Sequence, residues 1–170
     1  MEKVSVRHEF APVFNSETTR VLILGTIPSP ASREYGFYYG HPRNRFWKVM
    51  AAALGCAEPV TTFEKREMLL KNGIGLWDVL SECEIHGASD ASISQALPND
   101  IAGLIRGSNV KALLFNGKKA KELFDRLAGK DGIAGVELIC LPSTSPANAA
   151  FSLEKLRLEY AGALQCGAGR

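Results

Sequence analysis

The sequence contains no Cys-x-x-Cys pair, no glycine-rich phosphate loop and no long apolar run, and each absence removes a class of function. The four cysteines, Cys56, Cys83, Cys140 and Cys166, stand singly, at spacings that suit neither a zinc ribbon nor an iron–sulfur site. They read as reduced thiols, mostly buried. The three histidines, His8, His41 and His86, lack metal-ligand spacing, so no metal is expected. Neither G-x-G-x-x-G nor G-x-x-x-x-G-K-[ST] follows the first apolar strand, which leaves a nucleotide cofactor unsupported. There is no G-x-S-x-G nucleophile elbow. No apolar stretch approaches the length of a membrane span, and the opening MEKVSVRHEF lacks the apolar centre of a secretory signal. These readings lead to the expectation of a cytoplasmic protein with no membrane partner. A formal net charge of only +2 over 170 residues neither demands nor excludes nucleic acid, so the placement of Lys and Arg must decide.

What is present suits one domain over 1–170, with 46% hydrophobic and 22% charged residues. RVLILGT (20–26) is short, apolar and β-branched, the pattern of a strand buried on both faces. IGLWDVL (74–80), VKALLFN (110–116) and GVELICLP (135–142) read as three more strands. Helices are expected over 44–55, with Asn44 as N-cap and Gly55 at the end, and over 61–73, where Thr61 and Glu64 form a capping-box pattern. Further helices are expected over 100–106 with Asn99 as cap, over 118–129, and over 152–164. Residues 1–19 are expected to lie across the domain, and 82–97 to be irregular. Strands alternating with helices predict a three-layer α/β/α fold around a central four-stranded parallel sheet. In such sheets ligands sit at the carboxyl ends of the strands, so the loops 27–43, 116–119 and 143–150 are expected to meet on one edge.

The segment GFYYGHPRNRFW (36–47) combines aromatics, arginines, a histidine and an amide in twelve residues. Taken one at a time, each has an ordinary reading. Asn44 caps a helix, Tyr38 and Tyr39 pack, and Arg43 and Arg45 are solvated. Together, aromatics beside arginines on a long loop suit stacking on a base and contact with phosphates. Ser143, Thr144 and Ser145 form a hydroxyl-rich turn that either donates to a phosphate or simply leads into the last helix. Asn116 ends a strand, where its amide either reads a base edge or makes a turn with Gly117. Lys118 and Lys119 sit in the first turn of a helix, where the macrodipole disfavours cations.

These stretches together resemble the uracil-DNA glycosylase superfamily. GFYYGHPRNRFWKVM is similar to the G-F-x-F-x-H-P-x-N-R-F-W segment of its mismatch-specific uracil/thymine branch. LPSTSPANAAFSLEKL stands where that branch has L-P-N-P-S-G-L-S before a similar helix. Two departures stand out. GTIPS puts Ile27 where the superfamily has a side chain that orients the attacking water. The His or Asn that begins the second motif is matched by Ser143, or by Leu141 in another alignment. GTIPSPAS with YYGHPRNRFW and LPSTSPANA resembles instead the hypoxanthine-DNA (deoxyinosine) glycosylase branch, whose catalytic asparagine lies in the loop after the first motif and matches Asn44.

The resemblance implies a monomer without a cofactor that flips a deaminated or mismatched base out of DNA, at a cost of a few kcal/mol. It implies hydrolysis of the N-glycosidic bond, with an abasic product left for downstream repair enzymes in base excision repair. Catalysis falls to Asn44, its carbonyl oxygen holding a water, with Ser143 helping the leaving base. The base is expected against Thr26, Ile27, Tyr39, His41 and Asn116, with Tyr39 stacking on it. DNA contacts are expected from Ser29, Arg43, Arg45, Lys118, Thr144, Ser145 and Asn148. Where related proteins carry a bulky apolar wedge, this chain offers Ala147 or Asn148. Other readings remain open at this level: a uracil or mismatch glycosylase, a nucleic-acid-binding module without catalysis, or a small-molecule α/β protein.

Overall fold

The strand β2 (Val21–Gly25) is buried at every position, because it runs through the middle of a parallel sheet covered on both faces. The structure, a computed structural model, describes residues 2–167. The N-terminal segment forms β1 (Lys3–Arg7). Beyond β2 come α1 (Pro30–Tyr35), α2 (Phe46–Leu54), α3 (Thr62–Lys71), β3 (Ile74–Asp78), β4 (Leu80–His86), β5 (Ser94–Pro98), α4 (Ile101–Ile105), β6 (Ala112–Asn116), α5 (Lys118–Leu123), β7 (Glu137–Leu141) and α6 (Leu153–Gly167). The central sheet has strand order β3-β2-β6-β7 and is parallel throughout.

Alternate residues of β2 and β6 serve opposite layers, as the strand period of two requires. Val21, Ile23, Ala112 and Leu114 join a core with Phe46, Met50, Leu156 and Tyr160 from α2 and α6. Leu22, Leu24, Leu113 and Phe115 face Ile101, Ala120, Leu123 and Phe124 on the other side. Each fully buried Leu or Ile contributes about 1.5–3 kcal/mol relative to an exposed one. This is the three-layer arrangement expected.

A second sheet was not expected. β1, β4 and β5 form an antiparallel sheet in the order β1-β4-β5, so 82–97 is not irregular, and Lys3–Arg7, in the segment expected to lie across the domain, is a strand. Val6, Cys83 and Ile85 pack it against the second core. The chain passes from β3 to β4 through Val79 alone, which leaves Asp78 at the corner between the sheets, opposite Gly25 in register.

Helix boundaries follow local chemistry. The capping box at Thr61 and Glu64 forms in both directions, and the two amide donors from Val60 and Thr61 hold the Glu64 carboxyl below its ordinary range. Asn99 does not cap α4; Asp100 does, through the amide of Gly103. Asn99 instead donates to the carbonyls of Asp78 and Leu80, fixing the corner. Among the cysteines only Cys83 is buried; Cys56, Cys140 and Cys166 are exposed, which corrects the expectation of mostly buried thiols.

Candidate active site

A cavity of about 490 Å³ opens at the carboxyl ends of β2, β3 and β6, lined by residues of the loops after β2, β6 and β7, where α/β sheets place their ligands. The expected convergence of those loops is therefore present. Thr26, Ile27, Tyr39, His41, Asn44, Asn116 and Ser143 all line the cavity. A smaller hollow of about 280 Å³ lies beside α4, and its polar side chains Asn99 and Asp100 are spent on backbone groups.

Asn44 does not occupy the N-cap of α2; Arg45 does. The Asn44 Oδ1 accepts from the Phe46 amide at 2.9 Å and from the Thr144 hydroxyl at 2.9 Å. A backbone N–H can only donate, so the atom facing Phe46 must be the oxygen and the amide orientation is determined. The same logic orients its neighbours. The Thr144 amide donates to Asn116 Oδ1, so Asn116 Nδ2 donates to the Thr144 hydroxyl, and that hydroxyl's proton is directed to Asn44. The Tyr160 hydroxyl lies 2.9 Å from both Asn116 Oδ1 and Pro142 O, sharing its one proton between them. Both lone pairs of the Asn44 carbonyl are thus occupied within the chain. That corrects the expectation that this oxygen holds a water. The group Asn44 offers to the cavity is its NH2.

Tyr39 has φ 54°, a left-handed conformation uncommon for a bulky residue. Its ring stacks on Phe46 with centroids 4.1 Å apart, and the residue also lines the cavity. The other aromatics of this segment are core: Phe37, Tyr38, Phe46 and Trp47 are buried, with the Trp47 indole donating to Tyr38 O. The Tyr39 hydroxyl is buried without a hydrogen-bond partner. Burial above all, then the charge of Asp78, raises it well above its ordinary range, with the nearby Asn116 amide opposing though outside hydrogen-bond geometry.

The phosphate assignments separate into two groups. Arg43 and Lys118 are exposed and make no ion pair among the described residues. Arg45 does not project to solvent. Its guanidinium donates to the carbonyls of Ser145, Asn148 and Phe151, tying the loop after β7 to the start of α2. Thr144 is fully buried, so its assignment to a phosphate is also corrected. The Ser29 hydroxyl is engaged with Ser32. Asn148 Nδ2 donates to Ser143 O, and Ser143 and Ser145 hydroxyls accept from amides within the same turn. His41 Nδ1 accepts from the Arg43 amide, which leaves Nε2 as its remaining polar atom.

The sequence reading missed two acids on the cavity wall, Asp78 and Asp90. Asp78 Oδ2 lies 2.7 Å from His8 Nε2, with both side chains almost fully buried. The His8 ring is boxed by Phe10, Tyr38 and Trp77. Asp90 lies on an exposed stretch, yet crowding by protein around its carboxyl raises it from its ordinary range. Lys119 opposes that shift, Asp78 adds to it, and a hydrogen bond from Thr26 opposes it. The only signal for Asp78 in the sequence was a lone acid inside the apolar run IGLWDVL.

Residues 11–164 match the model of the Uracil DNA glycosylase superfamily. Two relatives named hypoxanthine DNA glycosylase are similar over most of their length. The protein of Methanosarcina acetivorans is 38% identical, across 83% of this chain and 88% of its own. That of Methanosarcina barkeri is 37% identical, across 82% and 86%. A solution NMR structure of a candidate uracil DNA glycosylase from Methanosarcina acetivorans superimposes with a TM-score of 0.79 at 33% identity. It covers 95% of this chain and 98% of that one.

Proposed function

Because this chain belongs to the uracil DNA glycosylase superfamily, we propose that it is a monofunctional DNA glycosylase that takes a flipped, deaminated base, hypoxanthine above all, into the cavity and hydrolyses its N-glycosidic bond. The observation that carries the reading is the fixed amide of Asn44, whose oxygen is held within the chain, so that its NH2 is the polar group it has left at a cavity large enough for a base. The choice of hypoxanthine is supported by the names of the two relatives, which are similar across nearly the whole length.

Glycosidic bonds of this kind break through an oxocarbenium-like state, with positive charge on the sugar and negative charge on the departing base. An N–H donor held rigidly in a partly dry cavity stabilises that developing negative charge without reorganising. Asn44 is such a donor, because its carbonyl end is pinned by Phe46 and Thr144. Hypoxanthine presents acceptors at O6 and N7 and a donor at N1. Tyr39 offers a flat face already backed by Phe46, suited to stacking on the extruded base. Arg43 and Lys118 reach phosphates. Inosine pairs open more easily than normal pairs, which assists selection. The product strand carries an abasic site for a downstream repair enzyme.

Separate duplexes carrying one hypoxanthine, one uracil or one mismatched thymine, followed by alkali, test this directly, with Asn44→Ala alongside. Cleavage at hypoxanthine that is lost in the variant is the expected result. Preferential cleavage at uracil would move the protein to the uracil-specific reading. Retained DNA affinity with no cleavage of any duplex would make it a binding module.

A further inference from the structure

Ile27 occupies the position where the resemblance places a water-orienting side chain, and an alkyl group can neither hold nor deprotonate water. With the Asn44 carbonyl filled as well, neither of the two side chains expected to hold the nucleophile is able to do so. The neighbouring strand does. Asp78 ends β3 directly beside Gly25, and it lines the same cavity as Asn44. One carboxylate oxygen is held by His8 at 2.7 Å. The other, Oδ1, lies 2.5 Å from the point where a Cβ on Gly25 would stand, and the Tyr39 hydroxyl lies 2.6 Å from that same point. Only a glycine leaves room for this approach. Both oxygens border that point, and the hydroxyl is without a hydrogen-bond partner among the described residues. A buried hydroxyl left unpartnered is costly, and a water between it and the carboxylate would satisfy both.

Resting on the glycosylase reading, we propose that Asp78 is the general base that takes a proton from the attacking water, with His8 as the positioning residue that orients its carboxylate. The water oxygen bonds to the sugar carbon C1′. The bond from C1′ to the base breaks, and its electron pair leaves on the base. One water proton passes to Asp78 Oδ1, and the departing base takes up a proton from solvent. A carboxylate is a weak base, but an oxocarbenium-like centre needs little nucleophile activation. The titratable groups around Asp78 are His8 at the end of β1, Tyr38 and Tyr39 on the loop before α2, and Asp90 beyond β4. Burial first, then the charge of Asp78, raises both tyrosines, so neither competes as the base near neutral pH.

The test is single-turnover release of hypoxanthine from duplex DNA as a function of pH, on wild type, Asp78→Asn, His8→Phe and His8→Gln. Affinity for abasic-site DNA and Tm are measured on each. In wild type the rate should rise with pH along an acid limb that belongs to the His8–Asp78 pair as a unit. Asp78→Asn should lose a factor of about 10² to 10⁴ in rate and flatten the limb, with abasic-site affinity kept. His8→Phe should displace the limb, and His8→Gln, which restores a donor to Oδ2, should bring it back towards wild type. If Asp78→Asn does not fold, the limb and its response to the two His8 variants decide. An active wild type without an acid limb overturns the assignment. So does an Asp78→Asn protein that keeps the wild-type rate, or one that keeps the limb and changes only its base preference. A wild type that releases no base from any duplex overturns the glycosylase reading and this assignment with it.

Discussion

The hydroxyl of Thr144 donates to Asn44 Oδ1 at 2.9 Å across a sequence separation of one hundred residues, and so the loop after β7 orients the amide of the loop before α2. Thr144→Val keeps the shape and removes the donor. It leaves Asn116 Nδ2 without its acceptor and Asn44 Oδ1 with one partner fewer. The expected cost is about 1–3 kcal/mol of stability, since buried polar groups lose partners. Base release should fall with DNA affinity kept, and Thr144→Ser should restore both stability and rate. Chemical denaturation and single-turnover kinetics on the two variants check this.

Arg45 acts as a strut. Three carbonyls from the segment after β7 converge on its guanidinium, a fork that the point charge of a lysine cannot reproduce. Arg45→Lys should therefore lower Tm and speed amide exchange over 143–152, with an effect much larger than that of Arg43→Lys. Comparing the Tm values of the two variants measures it.

The exposed cations behave differently. Arg43→Ala and Lys118→Ala should leave Tm unchanged and weaken binding to duplexes of any sequence. Each should reduce the slope of log affinity against log salt by about one, as expected for loss of one phosphate contact. Titrations at several salt concentrations provide the slopes.

Asp90 gives a pH signature of stability. Its folded carboxyl is raised, chiefly by the protein crowded around it, so the folded state holds the proton more tightly than the unfolded chain. The associated stability is present below the ordinary carboxylate range and is lost as pH rises through the raised value. Asp90→Asn removes that loss. The difference in Tm between the variant and wild type should therefore grow in favour of the variant from acid to neutral pH. A difference that is flat with pH contradicts this.

Much of the central sheet was legible because its strands are apolar runs, those of β2, β6 and β7 closed by Gly or Pro, and Thr61 with Glu64 announces the start of α3. The second sheet was not. Register shifts between β4 and β5 at Leu80, Glu82 and Glu84 break the period of two, and Gly, Ser and Asp dominate between the strands. The cavity was located correctly from strand ends, yet the state of its groups was not. Arg45 and Thr144 read as phosphate ligands because cations and hydroxyls on loops usually meet solvent. Here they meet carbonyls and amides about one hundred residues away, which no local pattern encodes. Asp78 was hidden inside an apparent strand, since only the turn through Val79 shows that β3 ends there.

The most direct test of the account is detection of free hypoxanthine by mass spectrometry after mixing excess protein with a duplex holding one deoxyinosine, using wild type and Asn44→Asp. The aspartate keeps an oxygen for Phe46 and Thr144 and replaces only the NH2. The account expects rapid release by wild type and a loss of about 10²–10³-fold in the variant, the scale of removing one donor to developing negative charge. Release by Asn44→Asp at or above the wild-type rate would contradict the donor role of Asn44. Absence of free base with wild type would contradict the function itself.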